Sequence, residues 1–69
     1  MIDLCFEGRH VNANFRVSGL PGDLRIEIDP FGGRKFAIHP YQIPHLIPDL
    51  RDQQEVMQAV QAHAEEIAA

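Results

Sequence analysis

Two stretches at the start of the chain alternate strictly between apolar and polar residues. This period of two is typical of strands that bury one face, and it predicts strands at about 2–7 and 10–17. The apolar positions are Ile2, Leu4 and Phe6 in the first stretch and Val11, Ala13, Phe15 and Val17 in the second.

Gly8-Arg9 separates the two stretches and has the glycine-first composition of a two-residue hairpin turn. Closing the hairpin there brings apolar residues opposite one another, which favours that register. The predicted pairs are Phe6 with Val11, Leu4 with Ala13, and Ile2 with Phe15. Cys5 then lies opposite Asn12, and Glu7 lies opposite His10.

A second alternating region predicts two further strands, at about 24–29 and 34–39. Residues 18–23 contain glycine and proline and indicate a loop, whereas Phe31-Gly32-Gly33 indicates a three-residue hairpin turn with a left-handed glycine. This turn pairs Ile28 with Phe36 and Ile26 with Ile38. The loop leaves Arg16 opposite either Arg25, which would form a small anion site, or Glu27, which would form an ion pair.

The last third of the chain predicts short turns followed by one helix. Prolines at 40, 44 and 48 exclude a continuous helix over residues 40–51. Asp52 and Glu55 have the spacing of a capping box, so a helix is expected at about 53–68. Its apolar stripe is Val56, Met57, Val60, Ala64 and Ile67.

These elements predict a single α+β domain over residues 1–69. Its four-stranded antiparallel β-meander has one apolar face, and the C-terminal amphipathic helix packs on that face. The opposite face of the sheet is polar and exposed, and it carries no aromatic residue for stacking on nucleic-acid bases.

Charge and composition exclude several classes of function. Residues 49–69 hold five anions and one cation, which accounts for the whole net charge of −4. Because the chain has one lysine and no basic cluster, direct nucleic-acid binding is not expected. No apolar run is long enough to span a membrane, and no basic segment begins a signal peptide. One cysteine forms no internal disulfide, so a cytoplasmic location is expected.

The chain offers little material for catalysis. It has one serine, no threonine and one thiol, and its four histidines lack the short spacing of metal ligands. We therefore expect neither an enzyme nor a bound cofactor. An enzyme or metal-binding domain that uses Cys5, Glu7 and His10 is kept as an alternative.

By elimination, the sequence favours a small protein that binds another protein and regulates or inhibits it. The candidate contact residues are apolar and lie at a loop tip or in the proline-rich segment: Phe31, Tyr41, Ile43, Leu46, Ile47 and Leu50. Residues 41–50 have a second interpretation, in which they fill the open end of the core. Phe31 also has one, in which its ring folds back over Ile28. An acidic mimic of nucleic acid is another alternative, acting through Asp49, Asp52, Glu55, Glu65 and Glu66.

We also expect a homodimer, because 69 residues bury a small core and the chain has no disulfide to reinforce it. The strands at 2–7 and 34–39 are predicted to be open edges. The favoured route is pairing of such an edge with its counterpart in a second copy about a two-fold axis, which would make one continuous eight-stranded sheet. Contact between helices through Val56, Met57 and Val60 is the rival route.

Overall fold

A computed structural model describes residues 2–68 and confirms the predicted α+β meander. One antiparallel sheet holds four strands in the order β1-β2-β3-β4, followed by helical segments. The elements are β1 (Ile2–Phe6), β2 (Arg9–Ser18), β3 (Arg25–Pro30), β4 (Phe36–Ile38), a 3-10 turn (Pro40–Gln42), α1 (Ile43–Leu46) and α2 (Leu50–Ala68).

The first hairpin turns at Glu7-Gly8, and not at Gly8-Arg9. Glu7 and Gly8 have φ values of 52° and 79°, which is the positive-φ pair of a type I′ turn. The predicted register was therefore wrong by two residues. The observed pairs are Phe6 with Arg9, Cys5 with His10, Leu4 with Val11, Asp3 with Asn12, and Ile2 with Ala13.

The other strand pairs follow the predicted pattern. Ile28 lies opposite Phe36, and Ile26 lies opposite Ile38. Gly32 is left-handed with φ of 78°, as the turn requires. Arg16 lies opposite Glu27, so the ion pair forms and the alternative anion site does not.

The core lies between the apolar face of the sheet and the helical segments. It consists of Leu4, Ala13, Ile26, Ile28, Ile38, Ile43, Ile47, Val56 and Val60. Helix α2 packs mainly on β2, where the small side chain of Ala13 lets a helix approach closely. Val56 and Val60 are buried as predicted, but Met57 is 46% exposed and lies outside the core.

Helix α2 begins three residues earlier than predicted, because Asp49 is its cap. The Asp49 Oδ1 accepts hydrogen bonds from the N–H groups of Arg51 and Asp52, at 2.9 and 3.2 Å. The predicted capping box was wrong, since Asp52 lies inside the first turn. Its carboxylate Oδ2 instead accepts the backbone N–H of Cys5 at 3.0 Å.

The sheet curls enough for side chains from its two edge strands to meet over the apolar face. The rings of Phe6 on β1 and Phe36 on β4 have centroids 4.9 Å apart. The segment after β4 then reaches the end of β1, where the N–H of Glu7 donates to the carbonyl of Leu46 at 2.9 Å. Residues 40–47 therefore close the open end of the core.

Candidate binding surface

The structure separates the six predicted contact residues into three groups. Ile43 and Ile47 are fully buried, so the prediction that they meet a partner was wrong: they fill the core. Leu46 is half-buried and packs against the core. Phe31, Tyr41 and Leu50 are 81%, 71% and 72% exposed, so these three remain accessible to a partner.

Phe31 stands beside an apolar groove of about 400 Å³. The groove lies at the end of the sheet that carries both hairpin turns. Its lining is Phe6, Val11, Pro30, Phe31 and Phe36, together with Arg9, His10 and the two turn glycines, Gly32 and Gly33. Three phenylalanine rings thus line one open depression, whose composition suits contact with apolar side chains of a partner.

Backbone hydrogen bonds fix Phe31 in place. Its N–H donates to the carbonyl of Asn12 at 2.8 Å, which extends the β2–β3 ladder by one pair. The N–H of Gly33 donates to the carbonyl of Pro30 at 3.2 Å and closes the turn. An exposed aromatic on a fixed turn loses little entropy on binding, because its backbone is already ordered.

Arg9 brings a cation onto the apolar face at this groove. It lies opposite Phe6, and residues that pair directly in an antiparallel sheet project to the same face. Had the turn formed at Gly8-Arg9, Arg9 would have been a turn residue and would not have paired with Phe6. Arg34, which is exposed, follows the groove residue Gly33 along the chain, whereas Lys35 lies on the polar face beside Glu27 and Asp29. The groove is therefore apolar, with Arg9 in its lining and Arg34 next to its turn.

Tyr41 lines a separate depression at the other end of β3. Its ring stacks on His39, with centroids 5.5 Å apart and planes 11° from parallel. Pro40, Leu24 and the loop residues Gly22 and Asp23 complete a shallow site of about 390 Å³. Because Pro30 and Leu24 flank opposite ends of β3, one small ligand does not reach both Phe31 and Tyr41.

The polar face of the sheet holds an ordinary cross-strand ion pair. The Arg16 guanidinium lies 2.7 Å from the Glu27 carboxylate, and this contact lowers the pKa of that carboxyl below its usual value of 4.5. The cleft beside this ion pair has a volume of about 220 Å³ and is lined also by Asn14, Asp29 and Lys35.

Of the residues in the enzyme alternative, Cys5 and His10 are neighbours and Glu7 is apart from them. Cys5 lies opposite His10, whose Nδ1 is 3.5 Å from the Asp3 carboxylate, whereas Glu7 occupies the hairpin turn. The side chains of His10 and Asp3 are 77% and 62% exposed. Among residues 2–68, no three histidine, cysteine or acidic side chains are grouped closely enough to hold a metal ion.

The acids of the nucleic-acid-mimic alternative do not form a uniform row. Asp49 and Asp52 accept backbone hydrogen bonds at the start of α2, as described above, whereas Glu55, Glu65 and Glu66 are exposed. In the part of the chain that the structure describes, no helix has both the length and the apolar character required to cross a bilayer.

Sequence reasoning missed most of the groove. Phe6, Val11 and Phe36 were assigned to strands correctly, but nothing in their spacing indicates that the sheet curls and brings β1 to β4. Arg9 was not predicted to lie at the groove, because the predicted register placed it in the hairpin turn. The signal that could have located it is Gly8 itself, since a glycine in the second turn position favours a type I′ turn as strongly as a glycine in the first favours type II′.

Comparison with protein families, with curated proteins and with solved structures finds no match for this chain. Its function is therefore inferred from its own surface.

Proposed function

We propose that the protein is a small non-enzymatic binding module that regulates or inhibits a partner protein through the groove beside Phe31. The observation that carries this proposal is the 81% exposure of a phenylalanine held on a hydrogen-bonded turn. A solvated aromatic ring beside an apolar depression is the composition of an interface hot spot.

The free energy available from burying the Phe31 side chain in a complex supports a role in binding rather than incidental exposure. Fully burying one phenylalanine side chain stabilises a complex by about 1.5–3 kcal/mol. Insertion of a partner side chain between Phe31 and Phe36 would bury surface on both molecules. Such a contact supplies a large share of the affinity of a small interface, because few residues contribute most of the energy.

A reducing compartment such as the cytoplasm is part of the proposal. Cys5 is a free, half-buried thiol, and the fold uses no disulfide among its described residues. A compact module of this kind acts by occupying a surface on its target, and occupancy alone is sufficient to block or recruit another molecule.

The test is affinity capture from the source cell with three baits: the natural chain, Phe31→Ser and Leu20→Ser. Leu20 is the matched control, because it is 71% exposed in the loop at the opposite end of the sheet. We expect one or more proteins to be captured by the natural chain and by Leu20→Ser, and to be lost with Phe31→Ser. Identical captures by all three baits would contradict the proposal.

A further inference from the structure

We propose that the segment bound in the groove is acidic as well as apolar. An aliphatic or aromatic side chain of the partner enters between Phe31 and Phe36, and a neighbouring aspartate or glutamate pairs with Arg9. This inference rests on the proposed function and adds the chemistry of the partner to it.

Arg9 is positioned for this role by the hairpin. Its pairing with Phe6 fixes its Cα at the mouth of the groove and directs its side chain to the apolar face. An arginine beside apolar surface offers five donors in a planar fork, which matches a carboxylate. Arg9 is therefore within the groove lining, next to the place that a partner's apolar side chain would occupy.

The two arginines at the groove form no ion pair within the described fold. Ion pairs among residues 2–68 use Arg16, Arg25 and His10, and none of them uses Arg9 or Arg34. Groups left without a partner in the free protein are available to a ligand, and the ligand they select is an anion.

The charge of the whole chain favours a single carboxylate over a polyanion. The net charge is −4, and the acidic helix α2 supplies the excess. A nucleic acid extends beyond the groove and is repelled by this charge, whereas one or two carboxylates are affected mainly by the cations nearby, within a Debye length of about 8–10 Å. An acidic peptide segment is therefore the occupant that fits both the groove and its surroundings.

Three nine-residue fluorescent peptides test the inference, measured by anisotropy and by NMR shifts of labelled protein. The first has a Leu-Phe centre flanked by Asp and Glu, the second replaces those acids with Asn and Gln, and the third keeps the acids but replaces Leu-Phe with Ser-Ser. We expect the first to bind about tenfold tighter than the second at low salt, given the usual strength of a charge-assisted hydrogen bond. The third should not bind, and the NMR shifts should centre on Phe31 and Phe36.

Variants at two arginines separate the local effect from the overall charge. Arg9→Gln should remove the preference for the acidic peptide, whereas Arg25→Gln, at the far end of β3, should retain it. Equal affinity for the first two peptides would overturn the acidic assignment and leave the proposed function intact.

Two further results would overturn the inference. One is no peptide binding while capture of a protein still depends on Phe31, which again leaves the proposed function intact. The other is displacement of the bound peptide by a single-stranded oligonucleotide, which would assign the groove to nucleic acid, or loss of peptide affinity at protein concentrations where sedimentation equilibrium shows self-association, which would assign the groove to a second copy.

Discussion

The backbone N–H of Cys5 donates to the carboxylate of Asp52 at 3.0 Å, which joins the first strand to the first turn of the last helix. Two residues further on, just past the end of β1, the N–H of Glu7 is bonded to the carbonyl of Leu46. Both donors lie on the side of β1 that faces away from β2. The edge predicted to be open is therefore covered at two of its donors, which disfavours dimerisation through β1.

Removing the Asp52 carboxylate should expose the edge of β1. Asp52→Ala leaves the Cys5 N–H without its acceptor, and we expect a loss of about 1.5–3 kcal/mol in the free energy of unfolding, since the bond involves a charged group. Asp52→Asn, which keeps an acceptor oxygen, should recover much of the loss. Urea denaturation gives the free energies, and Glu55→Ala, an exposed acid in the same helix, is the control.

The same variant tests the assembly of the protein. Homodimerisation remains a prediction, but β4 is three residues long and the N–H of His39, just beyond it, is bonded to Gln42 Oε1 at 2.9 Å. Sedimentation equilibrium at micromolar concentration should show more self-association for Asp52→Ala than for the natural chain. Equal masses for the two would mean that the exposed edge does not pair.

Glu7→Asn should stabilise the protein. Glu7 has φ of 52° in the first central position of a type I′ turn, where asparagine is favoured and glutamate is not. We expect a gain of about 0.5–1 kcal/mol, similar to other substitutions that fit the native backbone better. Glu7→Gln removes the same charge without the backbone benefit, so its melting temperature should stay close to that of the natural chain.

This turn also shows how far the sequence determines the fold. Alternation identifies the strands and their apolar faces, because a two-residue slip of register leaves every side chain on the same face. The choice between two such registers depends on the dihedral angles of the turn, and both candidate turns contain Gly8. The faces could therefore be predicted, whereas the partners of Leu4 and Arg9 could not.

Among the residues that close the core, truncation of the side chain to alanine should have very different effects on the free energy of unfolding. Ile43 is fully buried and Tyr41 is 71% exposed, although only one residue separates them. Ile43→Ala should lower the free energy of unfolding by about 2–5 kcal/mol, as for other buried aliphatic residues. Tyr41→Ala should lower it by less than about 1 kcal/mol, and denaturant titration of the two variants checks the contrast.

Ile43 and Tyr41 show which part of the site could not be predicted from the sequence. An apolar cluster interrupted by prolines has no regular period, so the sequence does not show which side chains turn inward. For Phe31 the sequence allows a solvated ring at the loop tip or a ring folded back over Ile28, and the structure shows the ring 81% exposed. The groove beside it depends on the meeting of Phe6 and Phe36, which are thirty positions apart in the chain.

The Arg16–Glu27 ion pair gives a pH dependence with a definite sign. Because Arg16 lowers the pKa of Glu27, the ion pair stabilises the fold fully above the ordinary value of 4.5. This contribution declines as the pH falls below 4.5 and is lost below the lowered native pKa. Arg16→Gln should therefore lower the melting temperature more at pH 7 than at pH 2.5, as thermal melts at both values would show.

Leu46 and Asp52 accept hydrogen bonds from amides at the end of the first strand, and both residues are synthesised after the four strands. The edge of the first strand is therefore exposed to aggregation during synthesis until these acceptors are present. The four strands are complete by Ile38, but the acceptors for the Glu7 and Cys5 amides emerge from the ribosome later. A nascent chain that ends before them presents an unpaired strand edge to its neighbours. A chain terminated after Ile38 and before Leu46 therefore contains all four strand segments and neither of the acceptors that cover the edge of β1.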